Sequence, residues 1–242
     1  MGYECLMAGL PELKAGGEAP MTMETLLLLL EENLSEKDKP LLDLLRMKSD
    51  ALEISELVER YDDSIIDQPD WWENARNTLS EADLRTQLLY EYGQKSKNKF
   101  VRKWFAYNQD MNNVLVAAIC RKHGFDVRKM IVGQGEVAEI LRKNLQQKDF
   151  GLGGVMDSLQ EIMSLVDIDN LMEREKRMDA LRFVWLEEAT LFVDFSIENV
   201  LAYYLQAEML NRWSLLTVEQ GEKVFRELVA DMKKGVNLDA EA

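Results

Sequence analysis

A chain of 242 residues, 47% apolar and 30% charged with four prolines, has the composition of a folded protein of one large domain or two small ones. Its formal charge of −15 excludes the broad basic surface through which duplex DNA or RNA is bound. Cys5 and Cys120 are too few and too far apart for a disulfide framework or a paired metal motif, which suits a reducing cytoplasm.

The first residues, MGYECLMAGL, lack a basic region and carry Glu4 where an export signal would be apolar. YECLMAGLPEL reads instead as a short strand or extended segment stopped by Pro11, with the loop KAGGEAP behind it. Thr22 or Thr25 caps a helix through the leucine run to Asn33; Leu26 to Leu30, its purest apolar stretch, is far short of the ~18 residues of a membrane span. SEKDKPLLDLLRM predicts a second helix, with Ser35 as N-cap, Pro40 in its first turns and Leu41, Leu42, Leu44 and Leu45 as its buried stripe. Residues 60–79, with Pro69 and clustered Asp and Asn, form the expected seam, where Trp71 and Trp72 dock onto the core. From Ser80, paired with Asp83 as a cap, the pattern runs helical to His123, with Gly93 as a bend and Gly124 as the stop. Unbroken, such a helix is roughly 65 Å long. Ile131 to Gly135 is a turn, Glu136 to Asn144 a short helix, and residues 149–154, DFGLGG, a glycine-rich joint. Helices follow at about 155–166, 170–192, 197–213 and 218–234. In the third, Ile197, Val200, Leu201, Tyr204, Leu205, Leu210 and Trp213 share one stripe. The expected class is all-α, a multi-helix bundle in a single domain over residues 1–242, with one short N-terminal strand.

GQGEVA, Gly133 to Ala138, spells the G-x-G-x-x-G/A fingerprint of dinucleotide sites. That fingerprint belongs in a βαβ unit, and here helix stands on both sides, so a plain helix entry is expected. His123 is the single histidine, which removes His-rich zinc sites, paired Glu-x-x-His motifs and most triads; at a helix end beside Arg121 and Lys122 it complements the helix dipole. The acidic pairs Glu187–Glu188 and Asp167–Asp169 do not face each other across a cleft and read as solvated surface. Nothing arranges a nucleophile, a base and an oxyanion donor, so no catalytic residue, cofactor or metal ligand is expected. Lys95, Lys97, Lys99, Arg102 and Lys103 form a basic cluster in this acidic chain. Helical spacing places Lys95, Lys99, Arg102 and Lys103 on one face, either solvated surface or a partner-docking patch.

WFAYNQDMNNVLVAAICRKHG, residues 104–124, sets Asn108, Gln109, Asn112 and Asn113, with Asp110 among them, inside an apolar helix whose other side is Tyr107, Met111, Val114, Leu115 and Ala118. Asparagine is a poor interior helix former and, once buried, must find hydrogen-bond partners. These amides are therefore expected to bond a neighbouring helix or loop and lock its register. A similar pattern returns later: NNVLVAAI at 112–119 and ENVLAYYL at 198–205 share an Asn-Val-Leu, an indication of an internal helical repeat.

At these residues the chain resembles a small bacterial family, a domain of unknown function encoded in V-type ATPase operons, which is similar to the C (eukaryotic d) subunit of V-type ATPases. The resemblance runs through YECLMAGLPEL, residues 90–141 from YEYGQKSKNKF to GEVAEIL, and EREKRMDALRFVWLEEATLFVDFSIENVLAYYLQAEMLNRW. In the C subunit the comparable pattern is an acidic residue, Asn-Leu, a basic residue, a glycine and a turn with paired glycines; here these are Asp110, Asn113 with Val114, Arg121, Gly124, and Gly133 with Gly135. The closing helix is similar through Tyr203 or Tyr204 and Glu208, with Gln206 where a lysine is common. The resemblance implies a C-subunit-like helical fold and a non-catalytic central-stalk connector, cytoplasmic and peripheral to the inner membrane. Its partners would be the rotor shaft subunits and the membrane proteolipid ring, with Asn108, Asp110, Asn112, Asn113 and Glu208 as a structural polar junction. A free-standing helical adaptor, and an enzyme binding nucleotide at GQGEVA, are the alternatives.

Overall fold

The structure is a computed structural model that describes residues 2–51, 53 and 69–215. Residues 60–68 of the expected seam and the helix expected at 218–234 lie outside the described residues, as do the side chains of Trp71 and Trp72. In chain order the α-helices are α1 (Glu4–Gly9), α2 (Met23–Asn33), α3 (Lys39–Arg46), α4 (Pro69–Thr78), α5 (Glu81–Gln94), α6 (Lys99–His123), α7 (Glu136–Asn144), α8 (Leu159–Ser164), α9 (Leu171–Thr190) and α10 (Ile197–Leu215). No β-strand occurs among the described residues, and the class is all-α.

The expected N-terminal strand is corrected by α1. ECLMAG is rich in helix formers, and Met7 N closes onto Tyr3 O at 2.9 Å as the first turn forms. Leu10, held extended ahead of Pro11, ends the helix.

The described residues form two compact units, one of 2–33 with 194–215 and one within Leu34–Val193. In the first, Leu26 and Leu30, one turn apart on α2, are fully buried, and α10 buries Val200 through Leu205, Ala207, Met209 and Leu210. That burial exceeds the single stripe expected for α10, so it is an interior helix rather than an amphipathic one. Side chains of α10 hold this unit's loops: the Tyr203 hydroxyl donates to Pro11 O at 3.0 Å, and Asn211 Nδ2 to Met21 O at 3.1 Å. Thr22 caps α2 by accepting from Thr25 N at 3.2 Å.

In the second unit, α3 starts behind Asp38, and Ser35 donates to the Asp38 carboxylate at 2.7 Å instead of capping the helix itself. The single helix expected from Ser80 to His123 is two, α5 and α6, parted by residues 95–98. The tight closures Lys95 N to Tyr92 O and Ser96 N to Gly93 O, both 3.1 Å, end α5. Asn98 then starts α6 by accepting from Val101 N at 3.0 Å. Gly93 is therefore not a bend; a methyl group there would meet the Phe105 ring, so the glycine is where α6 lies against α5. Met111, Val114, Leu115 and Ala118 of α6 pack with Ile131, Leu141, Phe150, Leu152, Leu159 and Ile162 in this unit's core. The glycine-rich joint is anchored through Phe150 and Leu152, both fully buried. The helix expected over 155–166 shrinks to α8 followed by a 3-10 turn at Leu165–Asp167.

Candidate functional site

Two rows of amides leave α6 in different directions. Gln109 and Asn113, four residues apart, face the segment Ile131–Gly133 and α5, while Asn108 and Asn112 reach α9 and another part of α5. The segment Ile131–Gly133 is irregular backbone and yet buried, with Ile131 fully enclosed. Buried N–H and C=O groups outside regular structure must be satisfied individually. Here all six are. Ile131 N donates to Val127 O at 3.1 Å. Asn113 meets Val132 on both edges: its Nδ2 donates to Val132 O at 2.8 Å and its Oδ1 accepts from Val132 N at 3.1 Å. Gly133 N donates to Gln87 Oε1 of α5 at 3.0 Å. Arg142 of α7 donates from Nη2 to Ile131 O at 2.9 Å and Gly133 O at 2.7 Å. Side chains from three helices thus replace the ladder that the segment lacks.

Gly133 permits this arrangement. Its φ of 84° is costly for other residues, and a side chain there would collide with the Gln109 amide. Gln109 accepts from Gln94 Nε2 at 3.0 Å, while its own Nε2 is buried with no partner in the described structure.

The second row centres on Arg182 of α9. Its Nε donates to Asn108 Oδ1 at 2.8 Å, Nη2 to Asn112 Oδ1 at 3.3 Å, and Nη1 to Asp179 Oδ1 at 2.8 Å. Asn112 Nδ2 donates onward to the Tyr90 hydroxyl at 2.6 Å, and burial pushes that phenol above its ordinary range. Trp185, one turn beyond Arg182, stacks on Tyr107 with ring centres 5.1 Å apart and also meets Phe100 and Trp104. Aromatic and amide contacts together join α6 to α9.

The expected polar junction is divided by this geometry. Asn108, Asn112 and Asn113 take part as donors and acceptors. Asp110 is half-buried and lies on a third row, with no hydrogen bond or ion pair among the described residues; desolvation raises its carboxyl to about 6. Glu208 belongs to α10, in the other unit. Among the other positions of the resemblance, Gly124 ends α6 in the left-handed conformation at φ 74°. Arg121 donates to Gln147 O at 2.9 Å and lies 4.2 Å from the Phe150 ring centre. Gly135 is the N-cap of α7. The basic residues do not share a helix face: Lys95 and Lys97 stand in the turn before α6, and Lys99, Arg102 and Lys103 on its first turns, all exposed. Glu187 and Glu188 are exposed on α9, and Asp167 meets Lys122 at 3.5 Å. His123, exposed, stacks on Phe125 with ring centres 5.6 Å apart.

Gln87, Tyr90, Gln94, Arg142, Asp179, Arg182 and Trp185 are the participants that sequence reasoning missed. Gln87 and Gln94 sit seven apart on α5 beside the apolar Leu84 and Leu88, and Asp179 and Arg182 interrupt the apolar MDALRFVWL. A polar residue inside an apolar stripe is the available signal. At GQGEVA, the Gly133 N–H that a phosphate would need already serves Gln87, and a 3-10 turn, Val127–Lys129, rather than a strand leads in. Among the described residues no group of three His, Cys, Asp or Glu is placed to hold a metal ion, and no helix is long and apolar enough to cross a membrane.

Fold and site together define an all-helical protein organised around a buried joint between side-chain amides and backbone. Residues 55–236 match the family described as Protein of unknown function (DUF2764), and the chain belongs to that family. No curated protein and no solved structure matches it.

Proposed function

We propose that the protein is a non-catalytic central-stalk connector of a V-type ATPase, coupling the rotor shaft to the membrane proteolipid ring from the cytoplasmic side. The observation that carries this reading is the fastening of Ile131–Gly133, where each backbone polar group is held by α5, α6, α7 or the preceding turn. Torque passes through a body only as far as that body resists shear, and close-packed, fully bonded interiors transmit strain. Sliding the segment against α6 would break both Asn113 bonds at once.

The positions that carry the C-subunit resemblance also support the reading. Asn113 and Gly133 belong to one joint, and Arg121 and Gly124 finish the same helix. The test is purification of tagged protein from its own host after mild membrane solubilisation, with mass spectrometry of what accompanies it. Recovery of V-type ATPase shaft and proteolipid subunits, reduced by Asn113→Leu, is the expected result. Folded protein that brings no such subunit would overturn the proposal, and reproducible recovery of one unrelated partner would favour the free-standing adaptor.

A further inference from the structure

The two ends of α6 are both basic, but they use their cations differently. Between residues 95 and 129 the chain places nine Lys and Arg against two acids, Asp110 and Asp126, within a molecule of net charge −15. At the C-terminal end two of the four cations serve the structure: Arg121 bonds the carbonyls of Gln147 and Lys148, and Lys122 donates to Val166 O at 2.9 Å and pairs with Asp167, while Arg128 and Lys129 follow, exposed, on a 3-10 turn capped by Asp126. Arg121 and Lys122 also complement the negative end of the helix dipole.

The N-terminal end is the reverse. Lys95, Lys97, Lys99, Arg102 and Lys103 crowd the positive end of a 25-residue helix that has no acid in its first turn. There like charges and the dipole oppose folding. Lys97, Lys99 and Lys103 pair with no carboxylate in the described structure. The turn beneath them is nonetheless rigid. Arg102 Nη1 bonds Ser96 O at 2.8 Å and Lys97 O at 3.0 Å, and Asn98 caps the helix. A preorganised turn that carries the three unneutralised lysines Lys97, Lys99 and Lys103 loses little order when it meets an anion.

We infer that this turn, residues 95–103, is a docking surface for an acidic segment of a partner protein. The chemistry separates that occupant from other polyanions. The three unpaired cations are lysines, point charges suited to carboxylates, while the single guanidinium spends its Nη1 on the turn's own carbonyls, which fixes where it lies. Phe100 and Val101, the apolar residues of the same stretch, are buried and offer nothing to a bilayer. A flat anionic membrane or a long nucleic acid would also face the rest of a −15 body, whereas a short acidic segment can meet the turn alone.

The inference stands without the ATPase reading and is tested apart from it. A fluorescein-labelled octaglutamate peptide is titrated with the full chain at low and high salt, beside Lys99→Gln/Lys103→Gln and the equally charged control Arg128→Gln/Lys129→Gln at the other end of α6. Expected are salt-sensitive binding to the wild-type chain, roughly five- to tenfold weakening in the first variant, and less than about twofold in the control. No binding, or equal weakening in both variants, overturns the proposal. So does preferential binding, dependent on the same lysines, to phosphatidylserine vesicles or to a single-stranded oligonucleotide.

Discussion

Asn113 and Asn199 hold matching places in NNVLVAAI and ENVLAYYL, yet they do different work. Their neighbours behave alike, since Val114 and Leu115 in α6 and Val200 and Leu201 in α10 are all buried. Asn113 lies fifteen positions into its helix and grips Val132 with both its donor and its acceptor. Asn199 lies in the first turns of α10 and accepts only from Ser196, at 3.2 Å from its N and 3.3 Å from its Oγ. The first unit reaches its loops with different residues, Tyr203 and Asn211, each through one bond, to Pro11 O and Met21 O. A repeated apolar pattern thus preserves packing, while the task of a polar residue depends on where the helix begins and what backbone passes by.

That contrast can be broken at its strongest point. Asn113→Leu leaves the N–H and C=O of Val132 buried and unbonded, and should destabilise the protein by about 3–5 kcal/mol in chemical denaturation. A loss under about 1 kcal/mol would show that the joint contributes little. Asp110, on the same helix but outside both amide rows, should act in the opposite direction. Its native carboxyl titrates near 6, above the ordinary 3.8, so the native state binds the proton more tightly than the unfolded chain. Stability from this group is therefore complete below about pH 4 and falls as pH rises to about 6. Asp110→Asn should stabilise by about 2 kcal/mol at pH 7.5 and by nearly nothing at pH 4, read from paired denaturation curves. An equal gain at both values would remove desolvation as the cause.

Smaller effects sharpen the comparison between units. Asn211→Ala, which releases a single carbonyl of the loop before α2, should lower stability by about 1 kcal/mol in the same denaturation assay. Gln109→Met exchanges one bond from Gln94 for removal of a buried, unbonded Nε2, and its thermal midpoint should stay within about 2 °C of the wild type. A drop as large as that of Asn113→Leu would mean that both amides of the row carry the joint equally.

The helical class and the ends of α7 and α10 were legible because local signals agree there: Gly135 opens α7, and periodic apolar residues run through α10. Where local signals conflict, the sequence misleads. ECLMAG has the apolar character of a strand, and among the described residues there is no strand to pair with it. KSKN contains no proline, so its break went unseen, although Asn98 is a good N-cap and Phe105 needs Gly93 to be bare. The need of the α6 amides for partners could be read from their types. The partners themselves could not, because Asn113 meets the backbone of Val132, and Gln87, Arg142 and Arg182 lie 9 to 74 residues from the groups or amides they meet only once the helices have packed.

Amide hydrogen exchange at Val132 and Gly133 probes the joint most directly. Should Asn113 and Gln87 hold these N–H groups as described, both will exchange only with global unfolding, as slowly as core amides of α6, despite lying outside any helix. Exchange at the rate of an exposed loop would contradict the fastened segment and, with it, the rigid coupling body on which the connector proposal stands.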